Sequence, residues 1–232
     1  MILSIVISVF NEEKSIAKVL SDLKQCHIPM EHEIVVIDDC SNDSTRDIVL
    51  NELENNKKIR LISSDNKHGL GKALKRGFEA SKGDIIVVLT GDLSDDTNDI
   101  PIMLKKICDE EYDIICASRY AKGGIGKQAN LIKGFFSKSF NRIICVLTKI
   151  PTLDSTNSYK MFRKKVLKDI GLLESNYYTL GLELLLKAHK KRFKITEMPT
   201  IWRDRKDGKS HFMFLRDSFQ YFRWFMFAIV NK

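Results

Sequence analysis

The chain reads as an α/β domain built on a mostly parallel sheet with helices on both faces. Two observations predict this. Short apolar runs alternate with longer stretches whose apolar residues recur at helical spacing, the pattern of repeated strand–helix–strand units. Three of those runs also end in acidic or amide-bearing loops, as expected where strands deliver polar side chains to one edge of an open sheet. At 232 residues the chain is long enough for one sizeable domain, and its four prolines and twelve glycines form no low-complexity linker.

The first strand runs from Ile2 to Val9 and ends in Phe10-Asn11-Glu12-Glu13. Ile16, Val19, Leu20 and Leu23 then fall on one helical face, with Asn11 as N-cap and Glu12 and Glu13 beside the positive helix end. A second strand, Glu33 to Ile37, enters Asp38-Asp39-Cys40-Ser41-Asn42-Asp43-Ser44-Thr45, and a helix follows from Ser44 to Asn55. Further strands are expected at Ile59 to Ser63, Asp84 to Leu89 and Asp113 to Ala117. Helices lie between them at Gly71 to Lys82 and Asn98 to Asp109, where Pro101 suits a first turn. Ser158 to Phe162 alternates in a more polar way and joins the same sheet.

Chemistry concentrates at the strand ends. Val87-Val88-Leu89 runs straight into Thr90-Gly91-Asp92-Leu93-Ser94-Asp95-Asp96. Carboxylate oxygens suit hard cations such as Mg²⁺ or Mn²⁺, which in turn hold a diphosphate. A lone acid cluster reads first as a solvated turn followed by a helix cap, and Asp39 and Asp43 as caps of the helix near Ser44. Three such loops at one sheet edge read as a site. The Gly69-x-Gly71 turn lacks the glycine spacing of a dinucleotide fingerprint. It reads instead as a place where backbone approaches a ligand, with Lys72 at the mouth of the helix.

A net charge of +8 raises the question of nucleic acid. Acids at the sheet edge would repel a polynucleotide, and no helix-turn-helix, RNP or zinc pattern is present, so no nucleic-acid partner is expected. The five cysteines (Cys26, Cys40, Cys108, Cys116, Cys145) show no C-x-x-C spacing and suit reduced, packed thiols. No signal peptide is expected at Met1-Ile2-Leu3-Ser4, and no run approaches the roughly 20 apolar residues of a spanning helix. Basic residues crowd the second half: Lys133, Lys138 and Arg142, then Lys187 to Lys194, then Arg203 to Lys209. In Phe212 to Val230, Arg216, Gln220 and Arg223 form one narrow polar stripe beside a wide aromatic surface. Such a helix lies in a membrane interface, or packs on the core or at a dimer interface. The chain thus divides into a domain over 1–211 and an aromatic amphipathic helix over 212–232.

Several segments carry a resemblance. Ser8-Val9-Phe10-Asn11-Glu12 is similar to the Pro-x-Tyr-Asn-Glu opening of the inverting family 2 glycosyltransferases, and Val36-Ile37-Asp38-Asp39-Cys40-Ser41-Asn42-Asp43-Ser44-Thr45 to their V-D-D-G-S-x-D-x-T segment. Asn66-Lys67-His68-Gly69-Leu70-Gly71-Lys72-Ala73 resembles N-x-G-x-G-x-A, closed by Gly83-Asp84. Ala117-Ser118-Arg119-Tyr120 with Gly123-Gly124 resembles G-S-R-Y-x-x-G-G, and Arg205-Lys206-Asp207-Gly208-Lys209-Ser210 resembles R-x-x-G-x-S. Asp154, in Leu153-Asp154-Ser155-Thr156-Asn157-Ser158-Tyr159, matches the D-x-T-x-x-F/Y block. The order over roughly the first 210 residues is that of the dolichyl- or polyprenyl-phosphate sugar transferases.

The resemblance implies a GT-A type nucleotide-sugar fold and inverting transfer from a GDP- or UDP-linked sugar. It assigns Ser8, Phe10, Glu12, Asp38, Asp39, Lys72, Gly91 and Asp92 to the donor. Asp92 and Ser94 would hold Mg²⁺ or Mn²⁺, and Arg119, Lys138 and Arg205 the acceptor phosphate. Catalytic roles fall to Asp92, Arg119 and Glu183. The family usually has D-x-D, and here the first acid is Thr90, so Asp92 alone keeps the carboxylate, with Asp95 or Asp96 as compensating acids. That change leaves open a relative that binds nucleotide sugar without catalysis. A lipid-phosphate acceptor is already an anion and needs no base; a saccharide hydroxyl does need one. Glu183, alone among the apolar residues Leu182 to Leu186, is the candidate base if its surroundings raise its pKa, and a partnered structural acid otherwise. The expected setting is the cytoplasmic face of a membrane, held peripherally, alone, as a homodimer or with a separate anchoring partner.

Overall fold

The computed structural model describes residues 1–127, 131–204 and 214–230. Seven strands form one sheet: β1 (Leu3–Val9), β2 (His32–Asp38), β3 (Ile59–Ser63), β4 (Ile85–Thr90), β5 (Ile114–Ser118), β7 (Lys160–Arg163) and β8 (Ile195–Pro199). Their order across the sheet is β3-β2-β1-β4-β7-β5-β8, and β7 alone runs antiparallel to its neighbours β4 and β5. Two three-residue strands, β6 (Ile125–Lys127) and β9 (Ile201–Arg203), pair in parallel as a separate ribbon. The crossovers are helical, as parallel pairing requires: α1 (Ile16–Gln25), α2 (Thr45–Asn55), α3 (Leu70–Ala80) and α4 (Asp99–Cys108). The second half adds α5 (Leu131–Thr148), α6 (Lys165–Ile170), α7 (Leu180–Lys190) and α8 (Phe214–Val230).

Alternation along the strands builds a core on each face. Leu3, Ile5, Ile7 and Val9 of β1 meet Ile16, Val19, Leu20 and Leu23 of α1 and Ile100, Met103 and Leu104 of α4. Val6 points the other way, to Ala73, Leu74 and Phe78 of α3 and the apolar face of α7. Both faces of the central strands are covered, which is why they read as continuous apolar runs rather than alternating ones.

The first five strands and four helices lie within about two residues of where the periodicity places them. Ser158 to Phe162 does enter the sheet, as β7, shifted to Lys160–Arg163. Asn11 is not the cap of α1. The helix starts later, at Ile16 after Ser15, and the Asn11 side chain instead accepts the Asn42 N–H at 2.9 Å. All five cysteines are free thiols. No helix among the described residues is long and apolar enough to cross a membrane. The aromatic helix α8 packs against α5 and α7, with Trp224 2% and Ala228 4% exposed inside the second core.

Candidate functional site

The ends of β1, β2 and β4 are adjacent in the sheet, and their loops are laced together. Ser8 sits between Ile37 and Thr90 in register. Its carbonyl accepts the Gly91 N–H at 3.1 Å, and the Val9 carbonyl accepts the Asp39 N–H at 3.0 Å. Thr45 Oγ1 receives the Glu12 N–H at 2.7 Å, Ser41 Oγ the Asn11 N–H at 3.0 Å, and Asp43 Oδ2 the Glu13 N–H at 3.2 Å. Each loop carries one non-glycine residue in the left-handed region: Asn11 (φ 55°), Cys40 (φ 68°) and Leu93 (φ 62°). Such strain clusters at functional sites and persists where surrounding bonds over-determine it.

Asp38 and Asp39 are both buried, 2% exposed. Asp38 Oδ1 accepts the Ser41 N–H at 3.0 Å. Asp39 does not cap α2, whose N-cap position is Ser44; just ahead of it Asp43 Oδ1 takes the Thr45 N–H at 3.0 Å. The two oxygens of Asp39 instead receive the N–H groups of His68 (2.9 Å) and Gly69 (2.7 Å), which fixes the turn before α3 against the end of β2. Phe10 lies beside this turn with the Lys67 ammonium 3.4 Å over its ring, a cation–π contact. Lys72 is exposed in the first turn of α3, its ammonium 3.4 Å from His68 Nδ1.

The expectation that Gly69 and Gly71 open the backbone to a ligand needs correction. A Cβ on Gly71 would lie 2.6 Å from the Asn176 carbonyl carbon and 2.7 Å from Tyr177 N, and one on Gly69 2.7 Å from the Tyr177 ring. These glycines make room for the 176–177 segment of this chain. Gly91 is similarly a packing glycine, since a Cβ there would lie 2.5 Å from Val9 Cγ1.

Thr90 occupies the centre of the β4 loop. Its hydroxyl lies 2.7 Å from Asp92 Oδ1 and 2.9 Å from Asp95 Oδ2, and its N–H donates to that same Asp95 oxygen at 2.9 Å. One hydroxyl proton cannot serve two carboxylates, so the pair is relieved when one of them is protonated. Burial and the neighbouring Asp92 charge push Asp95 up to about 7, against the Thr90 bonds that favour its anion. Ser94 is buried; its N–H donates to Asp92 Oδ1 at 3.1 Å, and its carbonyl receives the Arg203 N–H at 3.1 Å. Asp96 caps the following turn through Asn98 and lies 3.7 Å from Arg203 Nη1. Arg203 thus closes the loop from a strand that the sequence reading does not anticipate.

A cleft of about 860 Å³ opens between the start of α1 and this loop, lined among others by Glu12, Lys18, Thr90, Asp92, Asp96 and Arg203. Among the described residues no three His, Cys, Asp or Glu side chains are arranged as a metal cage. The groups gathered at the loop are all oxygens, carried by Thr90, Asp92, Ser94 and Asp95. That set fits a hard cation held by one or two carboxylates and completed by substrate phosphates and water, the usual manner of Mg²⁺.

Of the basic residues, Arg119 is already partnered. Asp154 is fully buried and accepts three N–H groups of Arg119: the backbone amide at 2.9 Å, and Nε and Nη2 at 2.8 Å each. Burial works against the Arg119 charge, but the Asp154 carboxylate more than offsets it and holds the guanidinium protonated above its ordinary range. Arg119 is therefore half of a clamped pair, flanked by the rings of Tyr120 and Trp202, and not an open cation. The Tyr120 hydroxyl bonds Ser137 Oγ at 2.9 Å, which brings α5 and the exposed Lys138 to the same side. Arg205 lies outside the described residues. Glu183 is corrected as a candidate base: it is fully buried, its oxygens accept the N–H groups of Glu174 and Ser175 at 2.7 Å each, and Lys187 pairs with it at 2.7 Å.

The sequence-family comparison decides the affiliation: residues 4–171 match the model described as glycosyl transferase family 2. The chain belongs to that family. A glycosyltransferase, AglD, of Haloferax volcanii is 25% identical over 211 residues, 89% of this chain and 34% of its own length. A dolichol-phosphate mannosyltransferase of Pyrococcus furiosus is 28% identical over 229 residues, 95% of this chain and 64% of its own. The chain thus spans between a third and two thirds of these relatives. Among solved structures, S. aureus TarS 1-349 in complex with UDP-GlcNAc shares the fold with a TM-score of 0.72 at 20% identity, over 100% of this chain and 67% of that one. A mannosyltransferase of Pyrobaculum calidifontis, solved with GDP-Man and Mn²⁺, gives 0.68 at 16% identity, over 89% of this chain and 58% of its own. The expected GT-A type fold is what the chain adopts.

Proposed function

We propose that this family 2 member is an inverting glycosyltransferase that moves a sugar from a nucleoside diphosphate donor to the phosphate of a polyprenyl lipid at the cytoplasmic face of a membrane. The donor nucleoside lies across the ends of β1 and β2, against Ser8, Phe10, Glu12, Asp38 and Asp39, with Lys72 nearby. Its diphosphate reaches the β4 loop at Gly91 and Asp92. Asp92, with Ser94 and the Thr90–Asp95 pair beside it, would hold Mg²⁺ or Mn²⁺, which when bound neutralises charge developing on the departing diphosphate. The relative named as a dolichol-phosphate mannosyltransferase and the folds solved with GDP-Man or UDP-GlcNAc support a donor of this class.

One observation carries the lipid acceptor. The helices α5 and α8 pack on each other and leave Phe135 (69%), Phe136 (66%), Phe219 (69%) and Phe222 (58%) exposed. Exposed aromatics beside a basic face suit the headgroup boundary of a bilayer. The state of the carboxylates agrees with it. Glu183, the candidate base for a hydroxyl acceptor, is committed to other partners, and a phosphate acceptor needs no base. Arg119, whose Nη1 donors are not used by Asp154, and Lys138 would meet that phosphate, with Arg205 following in sequence.

Transfer assays with labelled GDP- and UDP-sugars, Mn²⁺ and a polyprenyl phosphate test this directly. Label extracted into organic solvent is the expected result. Label appearing only on a soluble saccharide would replace the lipid acceptor with a hydroxyl one, and donor binding without any transfer would make the chain a nucleotide-sugar binder.

A further inference from the structure

The 172–178 segment joins two parts of the molecule that the proposed reaction keeps separate. On one side it fills the Gly69–Gly71 turn. The Lys72 N–H reaches the Asn176 carbonyl at 3.2 Å, Lys75 Nζ bonds Asn176 Oδ1 at 2.7 Å and the Leu173 carbonyl at 3.1 Å, and no Cβ fits at Gly71. That turn is the one whose His68 and Gly69 amides Asp39 holds. On its other side the segment is gripped by α8. Trp224 Nε1 donates to Ser175 Oγ at 2.8 Å, and Arg223 pairs with Glu174. Glu183 fixes the same two residues from below through their backbone amides.

A continuous path of bonds and close packing therefore runs from α8, through Ser175 and the 176–177 backbone, to the turn behind Asp39. We infer that Ser175 and Trp224 are positioning residues for the donor: the seating of α8 on Ser175 sets the turn against which the nucleoside binds. Whatever α8 rests upon thereby tunes donor affinity. The inference rests on the proposed nucleoside role of Asp39. Nothing in it requires α8 or Ser175 to touch the donor. The path works because Gly71 leaves no slack: backbone meets backbone there, so a displacement of Asn176 cannot be absorbed by a side-chain rotation.

Calorimetry with GDP and UDP, each with Mn²⁺, tests the path on the full chain. Ser175→Ala keeps the indole and removes the oxygen that accepts its N–H, and Gly71→Ala forces the 176–177 backbone away from the turn. Each is expected to weaken the nucleotide that binds wild type by roughly fivefold or more, the low end of measured couplings between sites. In transfer assays KM for the donor should rise while kcat holds. Hydrogen exchange on the wild-type protein gives a readout that does not depend on any variant folding: nucleotide should slow the amides of Glu174 to Tyr177. Unchanged affinity in both variants, or amides at 174–177 indifferent to nucleotide, overturns the inference when Asp39→Ala still loses affinity. Should Asp39→Ala bind as wild type does, the donor pocket itself is misplaced and the coupling falls with it.

Discussion

Replacing Asp154 with Ala tests whether the Arg119 clamp is built as described. The variant leaves a guanidinium that is only 11% exposed without its carboxylate, and strands the Arg119 backbone N–H as well. Breaking a buried pair from one side costs about 3–5 kcal/mol, because the remaining charge is uncompensated. For a chain of this length that is a fall in Tm of roughly 6–20 °C, at about 2–4 °C per kcal/mol. Removing both partners, as Arg119→Met with Asp154→Leu, takes the buried charge away and should return most of that loss, since apolar replacement of a whole pair is often neutral. Guanidinium unfolding of wild type, the single and the double variant measures this. A single variant that loses less than about 1 kcal/mol would refute the burial argument. So would a double variant no more stable than the single. The folded double variant then serves as a probe of chemistry: with the guanidinium gone, transfer to a lipid phosphate should fail although donor binding persists.

Three further outcomes are expected. Asp92→Asn should abolish Mn²⁺-dependent nucleotide binding, while Thr90→Asp, which adds a third carboxylate beside Asp92 and Asp95, should lower thermal stability without metal and increase the stabilisation by Mn²⁺; calorimetry and thermal shift read both, and wild-type binding by Asp92→Asn would remove it from the metal site. Asp39→Ala should weaken nucleotide binding even without metal, since two backbone amides lose their acceptor; unchanged affinity would reduce Asp39 to a loop brace. Burial raises the Asp99 carboxyl to about 6, opposed by its bond from Thr200 and reinforced by the Asp96 charge. A carboxyl raised in the folded state loses stability as pH climbs from about 4 to 6 and stays lower above that range. Asp99→Asn, which can still accept from Thr200 at 2.6 Å, should therefore raise Tm at pH 7 by more than at pH 4. Equal shifts at both pH values would contradict the raised carboxyl.

The first half of the fold is legible because its strands are buried on both faces and stop at polar residues. Val87-Val88-Leu89 before Thr90, and Val35-Val36-Ile37 before Asp38, announce both an element and its end. The second half is harder for reasons of partnership. Lys160 begins β7 and is 1% exposed, its ammonium bonded to the Ser155 carbonyl at 3.1 Å and to that of Asn157. No local pattern separates a lysine of that kind from a solvated one. β6 and β9 are three residues each, too short for any periodicity. The site shows the same division. Asp39, Asp92 and Asp154 are visible as acids in recognisable blocks, whereas the roles of Glu183 and Gly71 depend on groups elsewhere in the chain. Gly71 is filled by residues about a hundred positions away, and Arg203 reaches Ser94 across a similar distance.

The left-handed residues explain how the loops after β1, β2 and β4 keep their shape. Asn tolerates φ near 55° well, but Leu93 at 62° sits where a branched side chain is disfavoured by roughly 1–2 kcal/mol. A loop under that strain would relax if it stood alone. It does not stand alone: the Leu93 turn is pinned at Ser94, whose N–H donates to Asp92 and whose carbonyl accepts the Arg203 N–H. Asn11 is pinned in the same way, donating its N–H to Ser41 while its side chain accepts from Asn42. Each strained residue is held by bonds to a neighbouring loop or segment, so no loop can relax without breaking contacts in another. The lacing thereby fixes the loops that carry Asp39 and Asp92 relative to one another. The aromatic helices are tied in as well, α8 by the Trp224 N–H on Ser175 Oγ and the Arg223–Glu174 pair, and α5 by the Tyr120 hydroxyl on Ser137.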